Sequence, residues 1–580
     1  MPLLPGEKVV ETKKCRLSGR DFFVTDKDLE FYDKISPVFA GKKYALPSPG
    51  LCPDERRKRR LSFYNQRSLY KNTCAVTGKE IISRFPPESD LKVFSIDAWS
   101  DRSWDVTQYG IPVDFDVSFF SQVHHLIRVT PYQNLIGSSD NIANNALYTN
   151  HTSELKNCYL ISNANKVTEG YYSTDLKKSE HCYDCLSCSK TQKSYQCVSC
   201  ADIYWCFFCE YVTNSRDCWL GKLLQWCTNC LACTTLKHKN YHILNREVTP
   251  EEFKSTLLRY ISDSIFREKI QEKYRWVIAT SSFPATIHVN AAHSLGDTMY
   301  NVENCIGFNI TSSTDCRHCE SIIDSHTLMD VSDYGEYSER MYESVSVWRY
   351  SQNVLFSSIV GKGNNIFYCL EVKKSENCLG CVNAHYIKNC ILNRPYSVSE
   401  YEQLCWKIID HMRSTGEWWE FFPHELSPFG YNETVAQEYF PLTESEVKSR
   451  GWNWYNAAEK TFEGNNALIP LSISDYDERA VWFEVAQKNI DTLLSWVVKC
   501  EVTGKPFKII KQELVFYLEH HLPIPTKHPD QRHRERMNMR NPRELHERHC
   551  AECGVDIITT YAPDRPEKVV CEGCYKTWAY

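Results

Sequence analysis

The sequence predicts a mainly β, multidomain protein: two tandem β-solenoid (β-helix-like) copies with short helices, bracketed by two zinc-ribbon-like modules. Three observations predict it. The two ends of the chain share one series of motifs. The middle repeats itself at offsets of 147 and 148 residues. The tail carries two Cys-x2-Cys pairs separated by 17 residues.

The ends come first. CRLSGRDFFVTDKDLEFY from Cys15 reappears as CEVTGKPFKIIKQELVFY from Cys500. LCPDERRKRR, with Cys52, matches KHPDQRHRER, with His528, and CAVTGKEIIS from Cys74 matches CAECGVDIIT from Cys550. Ser95 and Ala98 stand where the tail has Cys571 and Cys574. One module of about 80–90 residues therefore occurs at each end.

In the middle, NCYLISN from Asn157 resembles NCIGFN from Asn304, and CLACTTLKHKNYHILNREVTPEEF from Cys230 matches CLGCVNAHYIKNCILNRPYSVSEY from Cys378. Each copy ends in "ILN", a polar turn and a helix. Thr249 is the expected N-cap of the first helix with Pro250 behind it; Ser397 or Ser399 caps the second, with Glu400 in its first turn. Cys188, Cys197 and Cys206 are nine residues apart, as are Cys200, Cys209, Cys218 and Cys227. Strand-and-turn units at that period suggest coils of about 18–20 residues, each burying its face on the next. The expected domains are 1–105 (degenerate ribbon module with a basic arm), 106–275 and 276–415 (the two copies, each with a helix), 416–495 (aromatic and Pro-rich arm and linker) and 496–580 (module with the intact ribbon).

Composition narrows the class. Hydrophobic content of 42%, with 15 Trp, 34 Tyr and 26 Phe, excludes a disordered chain. A net charge of −6 gives no global pull toward nucleic acid or membrane. MPLLPGEKVVETKKC lacks an apolar secretory segment, and no run approaches the ~18 apolar residues of a membrane span. A cytoplasmic location is expected. In a reducing compartment the 28 Cys read as metal ligands and buried thiols, not disulfides.

Over nearly its whole length the chain resembles a family from bacteria with reduced genomes, whose members join zinc-ribbon-like modules to Cys-rich NCY-type repeats. The matching stretches are CPDERRKRRLSFYNQRSLY, the repeat copies, SPFGYNETVAQEYFPLT, CEVTGKPFKI and CAECGVDIITTYAPDRPE with VVCEGCY. The resemblance implies ribbons and repeats and brings no activity. Where such relatives carry CxxC pairs, this chain has Cys15 with Ser18, Cys52 with Glu55 and Cys74 with Thr77.

The strongest chemical motif is Cys550, Cys553, Cys571 and Cys574. Four thiolates close a tetrahedral shell with no open position, so the expected cofactor is a structural Zn2+. Cys15 with Cys52, and Cys500 with His528, are half-sites expected to hold no metal. The eleven Cys between Cys182 and Cys233 read as a ladder of small buried residues, with a soft-metal thiolate cluster as the alternative. Arg56, Arg57, Lys58, Arg59, Arg60 and Arg67, with interleaved Tyr, are the expected nucleic-acid contacts; a solvated helix face is the competing account. GKGNN at Gly361 lacks the rest of a phosphate loop, and no catalytic signature is present. The expectation is a zinc-binding, non-enzymatic scaffold whose partner is nucleic acid or a ribonucleoprotein, with homo-oligomers open. A self-assembling structural protein, a thiolate-rich metal or redox protein and a carbohydrate-acting β-helix enzyme are the alternatives.

Overall fold

The computed structural model describes residues 3–101, 103–137, 139–456, 468–469, 490–520, 522 and 524–579. The linker expected within 416–495 falls partly outside them. The fold is mainly β, with 34% strand and 27% helix, and its largest sheet has 13 strands. The helices used below are, in chain order, α1 (Asp26–Ile35), α2 (Pro53–Leu61), α3 (Pro250–Ser262), α4 (Ser264–Thr280), α5 (Val398–Thr415), α6 (Lys511–Glu519), α7 (Pro529–Met539) and α8 (Glu572–Ala579). Among the described residues, no helix is long and apolar enough to cross a membrane.

From Thr149 to Ile243 successive segments pair in parallel, Thr149 opposite Ile161, Asn165 opposite Lys177, Tyr195 opposite Phe207 and Thr228 opposite Asn240. Each partner lies 12 residues on, a spacing repeated by side-chain bonds such as Ser162 to Thr174. The coil of 18–20 residues expected from the Cys spacing is therefore corrected to 12. The backbone explains the difference. Every third residue from His151 to Leu244 has a positive φ, and from His151 to Ala232 the residue after it is buried inside: Asp184 then Cys185, Ser187 then Cys188, Ser199 then Cys200. Each rung is thus a square of three-residue sides with a left-handed corner at each. A spacing of nine joins neighbouring sides on successive rungs, as where the Cys188 thiol donates to the Cys197 carbonyl nine residues on at 3.5 Å.

L-residues normally lose roughly 1–2 kcal/mol in the left-handed region. Here it recurs because corner amides are hydrogen-bonded to a neighbouring rung (Asp184 N–H to Tyr171 O, 3.0 Å) and the residue after the corner turns inward into a core of Cys with Leu, Ile and Val. Outside, like residues stack. Tyr171 lies on Tyr183 at 4.8 Å, Phe207 on Trp219 at 4.2 Å, and Asn353, Asn365, Asn377 and Asn389 form an amide ladder with 2.8 Å steps.

A second set of rungs runs from His288 to Ile391 in the 13-stranded sheet. Its rungs vary from 11 to 13 residues before settling at 12. Two glycines mark the irregular start: a Cβ on Gly296 would stand 1.8 Å from the Gly307 carbonyl, and one on Gly307 2.2 Å from that of Cys319. Both sets close alike. Asn245 pairs with both backbone groups of Thr234, and Asn393 with those of Val382. A short antiparallel strand follows, then α3, capped by Thr249, or α5, capped by Ser397 in a capping box with Glu400.

The two chain ends cross over. α2 from the N-terminal end docks on the second set of rungs, where Arg56 meets Asp330 at 2.7 Å. α7 from the C-terminal end docks on the first set, where Arg532 and Arg536 meet Asp184 at 2.5 and 2.7 Å. The aromatic contacts match as well: Tyr32 packs edge-on against Tyr342 at 5.6 Å, and Tyr517 against Tyr195 at 5.6 Å. The segment after α5 lies on the second set, with Trp419 stacked on Tyr342 at 4.8 Å.

Candidate metal centre

The centre is built from two turns. The strands His546–His549 and Asp556–Thr559 form a hairpin whose loop carries Cys550 and Cys553. Cys550 N–H donates to Val555 O at 2.8 Å, Gly554 N–H donates to Cys550 O at 3.0 Å, and Gly554 supplies a φ of 74° that most side chains disfavour. The second pair follows the strand Lys568–Val570 and opens α8, with Cys574 N–H donating to the Cys571 sulfur at 3.4 Å.

All four sulfurs lie within 4.8 Å of one another, and Cys553 and Cys571 are 3.7 Å apart. Four sulfurs ~2.3 Å from one tetrahedral ion would be separated by ~3.8 Å, so the donor set fits a single ion. Burial disfavours the charged form of Cys550. Amides of Cys553, Cys571 and Glu552 outweigh that and hold its pKa down at about 6, the thiolate form a metal requires. Among the described residues no other group of three or more His, Cys, Asp or Glu comes together in this way.

The centre is tied to the segment that leads into the second set of rungs, and Thr560 Oγ1 donates to Asp297 on the rungs themselves at 3.0 Å. Lys568–Val570 pairs in parallel with Ser282–Pro284, and Thr559 Oγ1 donates to Ala285 O at 2.7 Å. Phe283, Ala285, Ile557, Tyr561, Val569 and Val570 pack around Cys550.

No protein-family model matches the chain, and no curated protein matches it.

The turn at Cys550 recurs at three other places that share the pattern Cys-x3-Gly. Cys15, Cys74 and Cys500 each donate their amide to the residue five on (Arg20, Lys79, Lys505), and each carbonyl accepts from the glycine four on (Gly19, Gly78, Gly504). At Cys74 the replacement is atom for atom. Ser95 N–H donates to the Cys74 sulfur at 3.3 Å as Cys571 N–H does to Cys550 at 3.3 Å, and Ala98 N–H donates to Ser95 Oγ as Cys574 N–H does to the Cys571 sulfur. At Cys15, Ser18 Oγ lies 3.8 Å from the Cys52 sulfur. A serine hydroxyl neither ionises as readily as a thiol nor suits a soft cation, and an alanine offers nothing.

The interior cysteines are fully buried from Cys182 to Cys233. Their thiols donate to carbonyls two residues back and nine residues on, as Cys200 does to Val198 and Cys209. This is the ladder of small residues, with protons placed on backbone oxygens.

The basic run departs from expectation. Arg56 and Arg60 are 2% and 0% exposed, and Arg57, Lys58 and Arg59 lie nearly as deep. Arg59 bridges Glu343 at 3.0 Å and Glu420 at 2.8 Å; Arg57 meets Glu320 at 2.7 Å, Lys58 meets Glu55 at 2.8 Å, and Arg60 lies 3.7 Å from Asp330. Arg67 is half-buried between Glu438 and Asp530. In the second copy Arg543 pairs with the same Glu320. The expectation that Arg56, Arg57, Lys58, Arg59 and Arg60 contact phosphates is corrected, because their charges are already matched by buried carboxylates. Sequence reasoning missed those carboxylates. Asp184 and Asp330 both stand at corners of positive φ, 53° and 56°, which sequence does not mark.

Proposed function

We propose that the chain is a zinc-binding, non-enzymatic scaffold: two tandem β-solenoid copies, locked by a terminal module at each end and available to partners along their exposed rung edges. The observation that carries it is the closed sulfur shell, which leaves no position for substrate or water and follows a strand paired to Ser282–Pro284, just ahead of the second set of rungs. Zinc suits four thiolates in a tetrahedron better than a hard cation does. Its role is structural, since the centre holds a short hairpin and α8 against the rungs.

Nucleic acid or a ribonucleoprotein remains the partner class, on a different surface from the basic helices. The exposed column Tyr337, Tyr350, Lys362, Lys374 and Tyr386 sets two rings, two ammonium groups and a third ring along successive rungs; Tyr337 stacks on Tyr350 at 5.3 Å and the Lys374 ammonium lies 4.8 Å from the Tyr386 ring. Rings and cations at rung spacing suit a linear anion.

Elemental analysis of the purified chain tests the scaffold, with an absorbance spectrum of the same sample to report nucleic acid carried along. About one zinc per chain is expected from one closed site, falling to a trace in Cys553→Ser. Several soft metals per chain would instead favour a thiolate store in the rung interior and sink this proposal.

A further inference from the structure

Three of the four ends of the two sets of rungs are closed. The first set opens against the short helix Ser139–Ala143, where Asn141 Nδ2 donates to Thr152 Oγ1 at 3.0 Å and Leu155 N–H donates to Asn141 Oδ1 at 3.0 Å. Both sets finish on an asparagine, Asn245 or Asn393, and an antiparallel strand. The fourth end, at the start of the second set, is a bare strand. His288–Ala292 is an end strand of the 13-stranded sheet and pairs forward, with Val289 opposite Tyr300 and Ala291 opposite Val302. Among the described residues no strand pairs with its other side.

Burial marks the same opening. Ala291 and Ser294 are the inward positions of this first rung, and both are half-buried. Val302 and Cys305, which hold those positions one rung on, are 3% and 0% exposed. On later rungs the corner amides donate backward, as Asn304 N–H does to Ala292 O at 3.1 Å and Ser312 N–H to Tyr300 O at 2.9 Å. The corners of the first rung, Asn290 and His293, with φ of 52° and 45°, have no rung behind them. From Ile287 to Leu295 the chain has no Asp, Glu, Lys, Arg or Pro. Charges and prolines are what normally blunt an exposed sheet edge.

We propose that this edge pairs with the same edge of a second copy of the chain, forming a two-fold dimer. The shape of the edge selects the occupant. It bends at the Asn290 corner into two three-residue sides, His288–Asn290 and Ala291–His293. A straight strand from another protein would follow one side only. A second copy turned about a two-fold axis through that corner brings the same bend. Each side then meets the other side of its copy, antiparallel, with Asn290 facing its own copy. Antiparallel pairing is also how the far end of each set is closed. The lack of charge removes like-charge repulsion across the axis, and Ala291 and Ala292 let the two backbones approach. With one open end per chain among the described residues, the assembly stops at two copies and does not grow into a fibre.

No zinc ligand and no residue of the Tyr337–Tyr386 column takes part, so failure here leaves the proposed function standing. The test is sedimentation equilibrium of the full zinc-loaded chain over a wide range of concentration. The mass is expected to rise from one chain to two and no further. Val289→Lys, at a position 44% exposed on the edge, should hold it at one chain throughout, with zinc content and Tm close to those of the parent. Trp276→Lys, 68% exposed on α4, should dimerise as the parent does. Asn290→Cys should be captured as a disulfide-linked dimer on mild oxidation, and Trp276→Cys should not. A single-chain mass at every concentration, growth beyond two copies, a dimer that survives Val289→Lys, or an Asn290→Cys chain that links no more readily than Trp276→Cys would overturn the proposal.

Discussion

Arg56 and Arg60 both face Asp330, and all three side chains are at least 98% shielded from water. A guanidinium in such a place is tolerated only because a carboxylate meets it. Removing one partner of a buried pair leaves an uncompensated charge and costs roughly 3–5 kcal/mol, far more than the pair contributes over an apolar substitute. Asp330→Ala is therefore expected to lower stability by about 3–5 kcal/mol in urea unfolding. Arg67→Ala, at a half-exposed pair, should change it by ~1 kcal/mol or less. Near-equal effects would mean that α2 does not dock as described. Residue identity alone could not foretell this. A run of five basic residues looks the same on a solvated arm and in a buried clamp, and the deciding partner is 274 residues away.

At the scale of the rung, the interior accepts a thiol or a hydroxyl equally well. Ser173 Oγ donates to Tyr171 O at 2.8 Å, and one rung later the Cys185 thiol donates to Tyr183 O at 3.4 Å. Cys185→Ser should therefore cost about 1 kcal/mol or less, the scale of a net hydrogen bond. Cys185→Leu should cost roughly 1–3 kcal/mol or more, because a closed square of three-residue sides has no room to relax. Urea midpoints of the two variants check this; a serine as harmful as the leucine would contradict the carbonyl-directed thiols. The element was half legible in the sequence. The Cys spacing of nine links neighbouring sides of successive 12-residue rungs, and only strand register separates such an offset from a period. The helix caps were better marked: of Ser397 and Ser399, the structure uses Ser397, whose capping box needs only the neighbouring Glu400.

For the whole molecule, packing between segments distant in sequence holds several histidines in neutral form. Burial, reinforced by nearby cations, lowers His533 to about 4 and His318 to about 3, and it holds His151 and His424 well below the ordinary 6.5. The unfolded chain takes up these protons below about 6.5 while the folded chain does not. Stability is thus intact above pH 6.5 and falls as the pH drops toward 4, each such group adding up to about 1.4 kcal/mol per pH unit. Glu438, held near 2 against the pull of burial by His533 and Arg67, contributes fully above about pH 4.5 and loses its part progressively as the pH falls from there to about 2. Urea unfolding between pH 7 and 4 should show a steady loss of stability, less steep in His533→Gln. A flat profile would mean that these histidines are solvated or already charged.

What rests on neighbours along the chain was legible in the residues alone: the ligand spacing at Cys550, Cys553, Cys571 and Cys574, and the helix starts at Thr249 and Ser397. Each depends on a few adjacent residues and carries its own geometry. Long-range packing set the rest: a rung of 12 residues, Arg56, Arg57, Arg59 and Arg60 matched by Asp330, Glu343, Glu320 and Glu420, and each end of the chain clasping the set of rungs farther from it in sequence. Those outcomes turn on which charges and side chains meet across hundreds of residues, and the free energy of burying a charge depends on a partner that local sequence does not name.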